Sequence, residues 1–169
     1  KNYLLNTLHS SYLTSGPVCE KVENLISKKF KKRYAILTNS WTNGLISILL
    51  SLKLKPSDEI IIPACTFVAC ANVVEMVGCK VVFADIDKDS FCISPEDIQN
   101  KITERTKAII PVHLYGNSAN MDKILKIAEE KNIHIIEDCA QAHGTEYKGK
   151  KVGGMGDMGA FSFFATKHM

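Results

Sequence analysis

The 169-residue sequence lacks several features that would narrow its function at once. No apolar run approaches the roughly 20 residues of a membrane-spanning helix, so no membrane interaction is expected. The formal net charge of +3 is small, and the densest basic cluster, residues 28–33, lies where a helix is predicted to end. Cations are typical of helix ends, so we expect no nucleic-acid partner.

The cysteines also lack the pattern of a disulfide framework or a zinc site. They occupy positions 19, 65, 70, 79, 92 and 139, without any Cys-x-x-Cys pair, and most lie in apolar stretches. This usage is typical of reduced, buried thiols in a cytoplasmic protein. Because His113, His134 and His143 share no ligand spacing, no metal site is predicted.

The sequence has neither an initiating methionine nor an element that closes the fold. It starts at Lys1 and stops two residues after Lys167. We therefore expect these residues to be part of a longer protein.

What the sequence does contain is a regular alternation of apolar segments with helical patterns. The patterns predict helices over 17–31, 45–52, 66–77, 95–101 and 121–131, and strands over 34–38, 59–63, 80–85, 107–113, 133–138 and 160–164. Apolar strands that alternate with helices predict an α/β domain with three layers, α/β/α, around a mostly parallel sheet.

Polar and aromatic residues fall where the predicted strands end, which is where ligands bind in such folds. Residues 39–42 place hydroxyl and N–H groups at a helix N-terminus, a common anion site. Phe67 could cover a flat ring. Asp138 ends an apolar strand, where a carboxylate needs a partner such as a protonated heterocyclic nitrogen. Lys167 closes an aromatic-rich run.

Each of these features alone has a simpler explanation: an N-cap, a core aromatic, a salt-bridged acid and a solvated lysine. Together they provide the parts that a pyridoxal phosphate site requires. An amine forms a Schiff base with the aldehyde of the cofactor. An acid keeps the pyridine nitrogen protonated, so that the ring can accept electrons. A helix N-terminus holds the phosphate, and an aromatic ring stacks on the cofactor.

Residues 154–159 match the G-x-G-x-x-G pattern of dinucleotide-binding proteins, but their context does not fit. That pattern is informative only between a strand and a helix. Here it follows a polar Lys-Gly-Lys-Lys stretch and precedes a predicted strand. We interpret these glycines as a tight turn that directs the final strand.

The order and spacing of several motifs resemble those of the DegT/DnrJ/EryC1/StrS sugar aminotransferases, which are fold-type I pyridoxal phosphate enzymes. The motifs are LTSG at 13–16, NSWT at 39–42, IPACTFVA at 62–69, VHLYG at 112–116, IEDCAQAHG at 136–144 and GDMGAFSFFATK at 156–167. The resemblance implies that residues 1–169 are part of the cofactor-binding large domain. A C-terminal small domain would lie outside this sequence.

The resemblance also assigns roles around the cofactor ring. Lys167 would form the internal aldimine with the cofactor and later shuttle the proton. Asp138 would pair with the pyridinium nitrogen. Gln141 would lie near the 3-hydroxyl group of the ring, and Phe67 would stack on the ring.

Three further residues would hold the cofactor phosphate by the same resemblance. They are the backbone at Trp41, the side chain of Thr42 and the hydroxyl of Ser162. The family commonly has a small residue at the position of Trp41, so the local shape there stays open.

The family likeness implies a cytoplasmic homodimer with its site at the subunit interface. An amino acid, with glutamate as the expected donor, would provide the amino group for a keto carbon of a nucleotide-linked deoxysugar. Two alternatives are a dehydratase that uses the same cofactor and a non-catalytic family member. Lys167 argues against the first, because that branch has histidine there. The joint presence of Lys167, Asp138 and Gln141 argues against the second.

The resemblance finally predicts a gap in the sheet. In fold-type I enzymes the strand after the lysine region lies between the first strand and the lysine-bearing strand. Residues 1–169 alone are therefore expected to expose apolar surface and unpaired backbone groups.

Overall fold

The computed structural model describes residues 2–167, which fall into two compact units divided between Leu37 and Thr38. The first unit contains helices α1 (Asn2–Leu8) and α2 (Pro17–Phe30). The predicted helix over 17–31 is confirmed. Proline opens α2, and Lys31 ends it in the left-handed conformation with a φ of 53°. None of the described residues of this unit is buried, so its apolar side chains do not form a core.

The strand predicted over 34–38 is wrong. No strand pairs with these residues anywhere in 2–167, and Ile36 is 81% exposed. The N–H of Leu37 instead donates to a carboxylate oxygen of Glu23 at 2.8 Å. Apolar, β-branched composition favours an extended chain, but a strand also requires a partner for its backbone groups.

The second unit is organised around a five-stranded parallel sheet. Its strands are β1 (Glu59–Pro63), β2 (Lys80–Ala84), β3 (Thr106–Ile109), β4 (His134–Asp138) and β7 (Met158–Ala160), in the order β2-β1-β3-β4-β7. All four strand pairs are parallel. A short antiparallel hairpin joins β5 (Glu146–Tyr147) and β6 (Lys150–Lys151). The predicted α/β class with a mostly parallel sheet is confirmed.

Helices connect the strands of this sheet. They are α3 (Trp41–Ser51), α4 (Ala69–Met76), α5 (Pro95–Lys101) and α6 (Met121–Lys131), with a 3₁₀ turn over Leu114–Gly116. Helix α3 begins four residues earlier than predicted, because the side chain of Ser40 caps it by accepting the N–H of Asn43 at 3.1 Å. The polar residues 41–44 are thus the first turn of a helix, not a loop.

The hydrophobic core covers the central strands. Every residue of β1 is buried, and Ile109 of β3 and Ile135 of β4 are at most 1% exposed. Four cysteines are buried as predicted: Cys70, Cys79, Cys92 and Cys139. Cys65 is exposed and Cys19 is only half-buried, so the prediction of buried thiols was wrong for these two. No helix within the described range has the length and apolar character needed to cross a membrane.

The final strand lies earlier than predicted. Its ladder with β4 ends where Asp138 pairs with Ala160, so residues 161–164 have no strand assignment. Of the three glycines predicted to form a tight turn, Gly154 and Gly156 lie in the bends just before β7, whereas Gly159 is part of the strand. Gly153 has a φ of +85°, and a Cβ atom there would lie 2.3 Å from Cζ of Phe161. Within 2–167, β7 pairs with β4 alone.

Candidate active site

Asp138 is the last residue of β4, and its carboxylate is nearly inaccessible, with 4% exposure. Its Oδ1 atom accepts the N–H of Ala140 at 2.9 Å, and its Oδ2 atom accepts the thiol of Cys70 at 3.3 Å. Burial raises the pKa of Asp138. The two hydrogen bonds and the nearby charge of Lys167 act in the opposite direction.

Lys167 lies in a turn after the aromatic run and is half-buried. Its backbone N–H donates to the carbonyl of Phe164 at 2.9 Å, which fixes the turn. Burial raises the pKa of Asp138, and the positive charge of Lys167 is the smallest of the influences that lower it. Asp138 ends β4, and Lys167 follows β7, the parallel neighbour of β4 in the sheet.

The N-terminus of α3 offers free donors. Ser40 binds the N–H groups of Asn43, through its side chain, and of Gly44, through its carbonyl. The N–H groups of Trp41 and Thr42 have no acceptor in the described part of the chain. Helix α3 also packs against β7, which leads to Lys167. Two unbonded N–H groups at a helix N-terminus are donors suited to an anion.

Trp41 does not obstruct this helix end. Its indole packs against the hydrophobic core, as a partly buried neighbour of the apolar side chains. The indole Nε1 atom is buried and has no hydrogen-bond partner among residues 2–167. The bulky side chain is thus accommodated by the core, and the backbone of the first helical turn keeps its usual geometry.

Ser162 and Gln141 have defined environments of their own. Ser162 is 7% exposed, two residues after β7, and its Oγ atom accepts the N–H of Phe164 at 3.4 Å. The side-chain oxygen of Gln141 accepts the N–H of Tyr115 at 3.0 Å. Because Tyr115 donates, the oxygen of Gln141 is the bound atom, and its amide nitrogen serves as a donor.

Phe67 lies in the loop between β1 and α4 and is 68% exposed. A core position, the simpler explanation of this aromatic, is therefore excluded. Its carbonyl accepts the N–H of Cys70 at 3.0 Å, which fixes the end of the loop against α4.

Sequence reasoning missed the role of Glu137, the neighbour of Asp138. The side chain is fully buried. Its Oε1 atom accepts the N–H groups of Met155 at 2.8 Å and Gly156 at 2.7 Å. Its Oε2 atom accepts the N–H of Gly153 at 2.6 Å and lies 3.1 Å from Nε2 of His113. Two consecutive acids at the end of an apolar strand were the signal, since each needs partners.

These donors make Glu137 an anionic clamp on the glycine turn before β7. Burial raises the pKa of Glu137, but the bonds from His113, Gly153 and Gly156 outweigh it and hold the pKa below its ordinary value. His113 is held in one tautomer, because its Nδ1 atom accepts the N–H of Ala119 at 3.1 Å. The ring proton is therefore on Nε2, where it faces Glu137.

The clamp overlaps a group with metal-ligating atoms. One such atom from each of His113, Glu137 and Cys139 lies within 4.8 Å of the others, in a buried position. Both ring nitrogens of His113 and both oxygens of Glu137 already take part in hydrogen bonds. These hydrogen bonds explain why the three residues lie close together, and no metal ion is needed to explain it.

The residues present fit pyridoxal phosphate. A buried carboxylate ends β4, a lysine follows the neighbouring strand β7, and a helix with unbonded N–H groups at its N-terminus packs against β7. Together with the sheet order, they define the fold of the pyridoxal phosphate-dependent aminotransferases. The protein Spr1654 of Streptococcus pneumoniae, solved in its PLP form, superimposes with a TM-score of 0.94 at 34% identity, over 98% of this chain and 46% of that one.

The chain belongs to the DegT/DnrJ/EryC1/StrS aminotransferase family, whose model matches residues 1–169. It is 48% identical over 168 residues to the uncharacterized protein MJ1066 of Methanocaldococcus jannaschii, covering 99% of this chain and 44% of that protein. It is 39% identical to GDP-perosamine synthase of Escherichia coli O157:H7, covering 99% and 46%. The chain thus spans less than half the length of these relatives.

Proposed function

We propose that this chain is part of a pyridoxal phosphate-dependent aminotransferase. The enzyme moves an amino group from an amino acid, glutamate, to a keto carbon of a nucleotide-linked deoxysugar. The observation that carries the proposal is the buried carboxylate of Asp138 at the end of β4, next to the strand β7 that leads to Lys167. The family supports the reaction, and the name of the relative GDP-perosamine synthase supports a sugar linked to a nucleotide.

The bound cofactor would supply an electron sink that lowers the barrier to proton removal next to nitrogen. Asp138 would hold the proton at the ring nitrogen, because a cationic ring compensates the carboxylate charge that burial disfavours and that Ala140, Cys70 and Lys167 only partly offset. The amine of Lys167 holds the cofactor and moves the proton at the reacting carbon. The desolvated setting of Asp138 strengthens its attraction to a cationic ring.

The remaining predicted residues would bind the cofactor and orient its ring. The N–H groups of Trp41 and Thr42, the hydroxyl of Thr42 and the hydroxyl of Ser162 bind the phosphate. Phe67, exposed on its loop, covers one face of the ring. Gln141 donates from its amide nitrogen toward the 3-hydroxyl oxygen.

The proposal also concerns the parts of the protein outside these residues. Because the relatives are more than twice as long, we propose a second, C-terminal domain outside these residues. We further propose a cytoplasmic homodimer in which the partner subunit completes the substrate site. Single-turnover release of 2-oxoglutarate from glutamate, followed by assay of keto-deoxysugars linked to GDP, UDP or TDP, identifies the two substrates.

Borohydride trapping tests the central residue. The full chain is incubated with pyridoxal phosphate, reduced and digested, and we expect mass spectrometry to locate a pyridoxyl group on Lys167. Lys167→Ala should lose the adduct. Lys88→Ala, which changes a lysine with 90% side-chain exposure, should retain it. An adduct on a different lysine, or none, would reject the proposal.

A further inference from the structure

Cys70 occupies an unusual position beside the acid of the site. It lies in α4 and is fully buried. Its Sγ atom is 3.3 Å from Oδ2 of Asp138 and 3.5 Å from the hydroxyl oxygen of Thr66. A chain of side-chain contacts therefore runs from the β1–α4 loop to the end of β4. Thr66 directly precedes Phe67, so these contacts begin in the loop that carries the exposed Phe67 ring.

The chemistry of the three groups determines which of them donates and which accepts in each hydrogen bond. An ionised carboxylate only accepts hydrogen bonds, so the thiol of Cys70 must donate to Asp138. The sulfur is then free to accept the hydroxyl of Thr66. Burial, and then the charge of Asp138, raise the pKa of the Cys70 thiol, which keeps its proton in place. The thiol therefore acts as a permanent donor at neutral pH.

We propose that Cys70 is a positioning residue for Asp138, fixing its Oδ2 atom and linking it to the loop that presents Phe67. The inference rests on the proposed function, in which Asp138 holds the ring-nitrogen proton. Each carboxylate oxygen then has one donor, Ala140 on Oδ1 and Cys70 on Oδ2. Two donors at opposite oxygens set the plane of the carboxylate before any ligand arrives.

Substitutions that change only the Sγ atom of Cys70 separate its hydrogen bond to Asp138 from its contribution to packing. Cys70→Ala removes the donor, whereas Cys70→Ser keeps a donor in a similar volume. Cys92→Ala is the matched control, because Cys92 is 1% exposed and its thiol lies 3.7 Å from the carbonyl of Asn117, away from Asp138. All variants are made in the full chain, and circular dichroism verifies that each is folded.

The first measurement is the dissociation constant for pyridoxal phosphate. Since a hydrogen bond to a buried charge is lost, we expect Cys70→Ala to weaken binding about fivefold. Cys70→Ser should restore the wild-type value, and Cys92→Ala should leave it unchanged. If serine binds as weakly as alanine, the effect comes from packing and the proposal is overturned. Equal binding by Cys70→Ala and the wild type overturns it as well.

The second measurement needs no cofactor. Raman difference spectra of the apoprotein, wild type minus Cys70→Ala, isolate the S–H stretching band of Cys70. We expect this band at a lower frequency than the corresponding band of Cys92, because donation to a carboxylate weakens the S–H bond. Coincident bands would contradict the hydrogen bond. A wild type that takes up no pyridoxal phosphate refutes the proposed function instead, and the Raman band still decides the role of Cys70.

Discussion

Glu137 and Asp138 are neighbours in sequence, yet their surroundings shift their pKa values in opposite directions. Glu137 receives N–H groups from three backbone positions and from His113, and its pKa is lowered. Asp138 receives one backbone N–H and one thiol, and burial raises its pKa. Glu137 is thus satisfied within the fold. Asp138 retains capacity for a further cationic donor, as a cofactor-pairing acid should.

Replacing Asp138 tests this difference. Asp138→Asn removes a poorly compensated buried charge, so we expect the free energy of unfolding of the apoprotein to rise by about 1 kcal/mol. The adduct on Lys167 should persist while turnover falls sharply, because the ring loses its anionic partner. Asp89→Asn, at an 82% exposed side chain, is the control for both measurements. Unchanged turnover would remove Asp138 from the site.

Glu137 should respond in the opposite way. Glu137→Gln places an amide N–H₂ group against backbone donors, and we expect the free energy of unfolding to fall by about 3 kcal/mol. Glu96→Gln changes an exposed carboxylate that contacts Lys123 and Ser94, and it should lower the free energy of unfolding far less. Urea denaturation of the apoproteins measures both. Similar losses in the two variants would contradict the clamp.

The same residue predicts a pH dependence. The folded pKa of Glu137 lies below its unfolded value, so its contribution is complete above about pH 4.3 and is lost as the pH falls through the folded pKa. The difference in unfolding free energy between the wild type and Glu137→Gln should therefore shrink on acidification. Denaturation curves at a series of pH values measure that difference. A constant difference would show that the carboxylate charge is not involved.

At the level of elements, the glycine turn before β7 combines two constraints. Gly153 has a left-handed φ and no room for a Cβ atom, whereas Gly144, with a φ of +83°, has open space around it. Gly144→Ala should therefore lower the free energy of unfolding by about 1 kcal/mol through the backbone alone. Gly153→Ala should lower it by several times that amount, since it also displaces Phe161. Thermal unfolding of both variants measures the contrast, and equal shifts would mean that the turn adjusts easily.

The sequence predicted elements well where local signals agreed with packing. The apolar run of β1 and the capped start of α5 lie where the sequence placed them, because a wholly buried strand and a Ser94 cap are local features. Residues 34–38 and 161–164 were predicted as strands from apolar composition alone. Strand formation depends on a partner, and composition does not report whether one is present.

The same distinction applies to the site. Lys167 and Asp138 could be singled out because strand ends of a parallel sheet converge, and the structure has Asp138 buried at the end of β4 and Lys167 in the turn after β7. Cys70 and Glu137 could not, since their partners are 68 and up to 24 positions away in the chain. An apparently inert buried thiol becomes informative only when the carboxylate beside it is known.

For the molecule as a whole, β7 presents an edge that pairs with nothing else in residues 2–167. We propose that a strand from the remainder of the protein pairs there, as the family likeness implies. Residues 1–169 produced alone should then be poorly cooperative in thermal circular dichroism and heterogeneous in gel filtration, compared with a longer chain. A monodisperse fragment with a sharp transition would disprove this.

The adjacency of Glu137 and Asp138 also constrains how this segment can evolve. Side chains alternate between the two faces of a strand, so one carboxylate holds the turn while its neighbour serves the site. A single-residue insertion or deletion within β4 would exchange the two acids, even if every amino acid type were retained. In a library that combines substitutions with insertions and deletions in β4, folded and active variants should include changes at its first residue, the half-exposed His134. They should include no variant in which β4 has changed length.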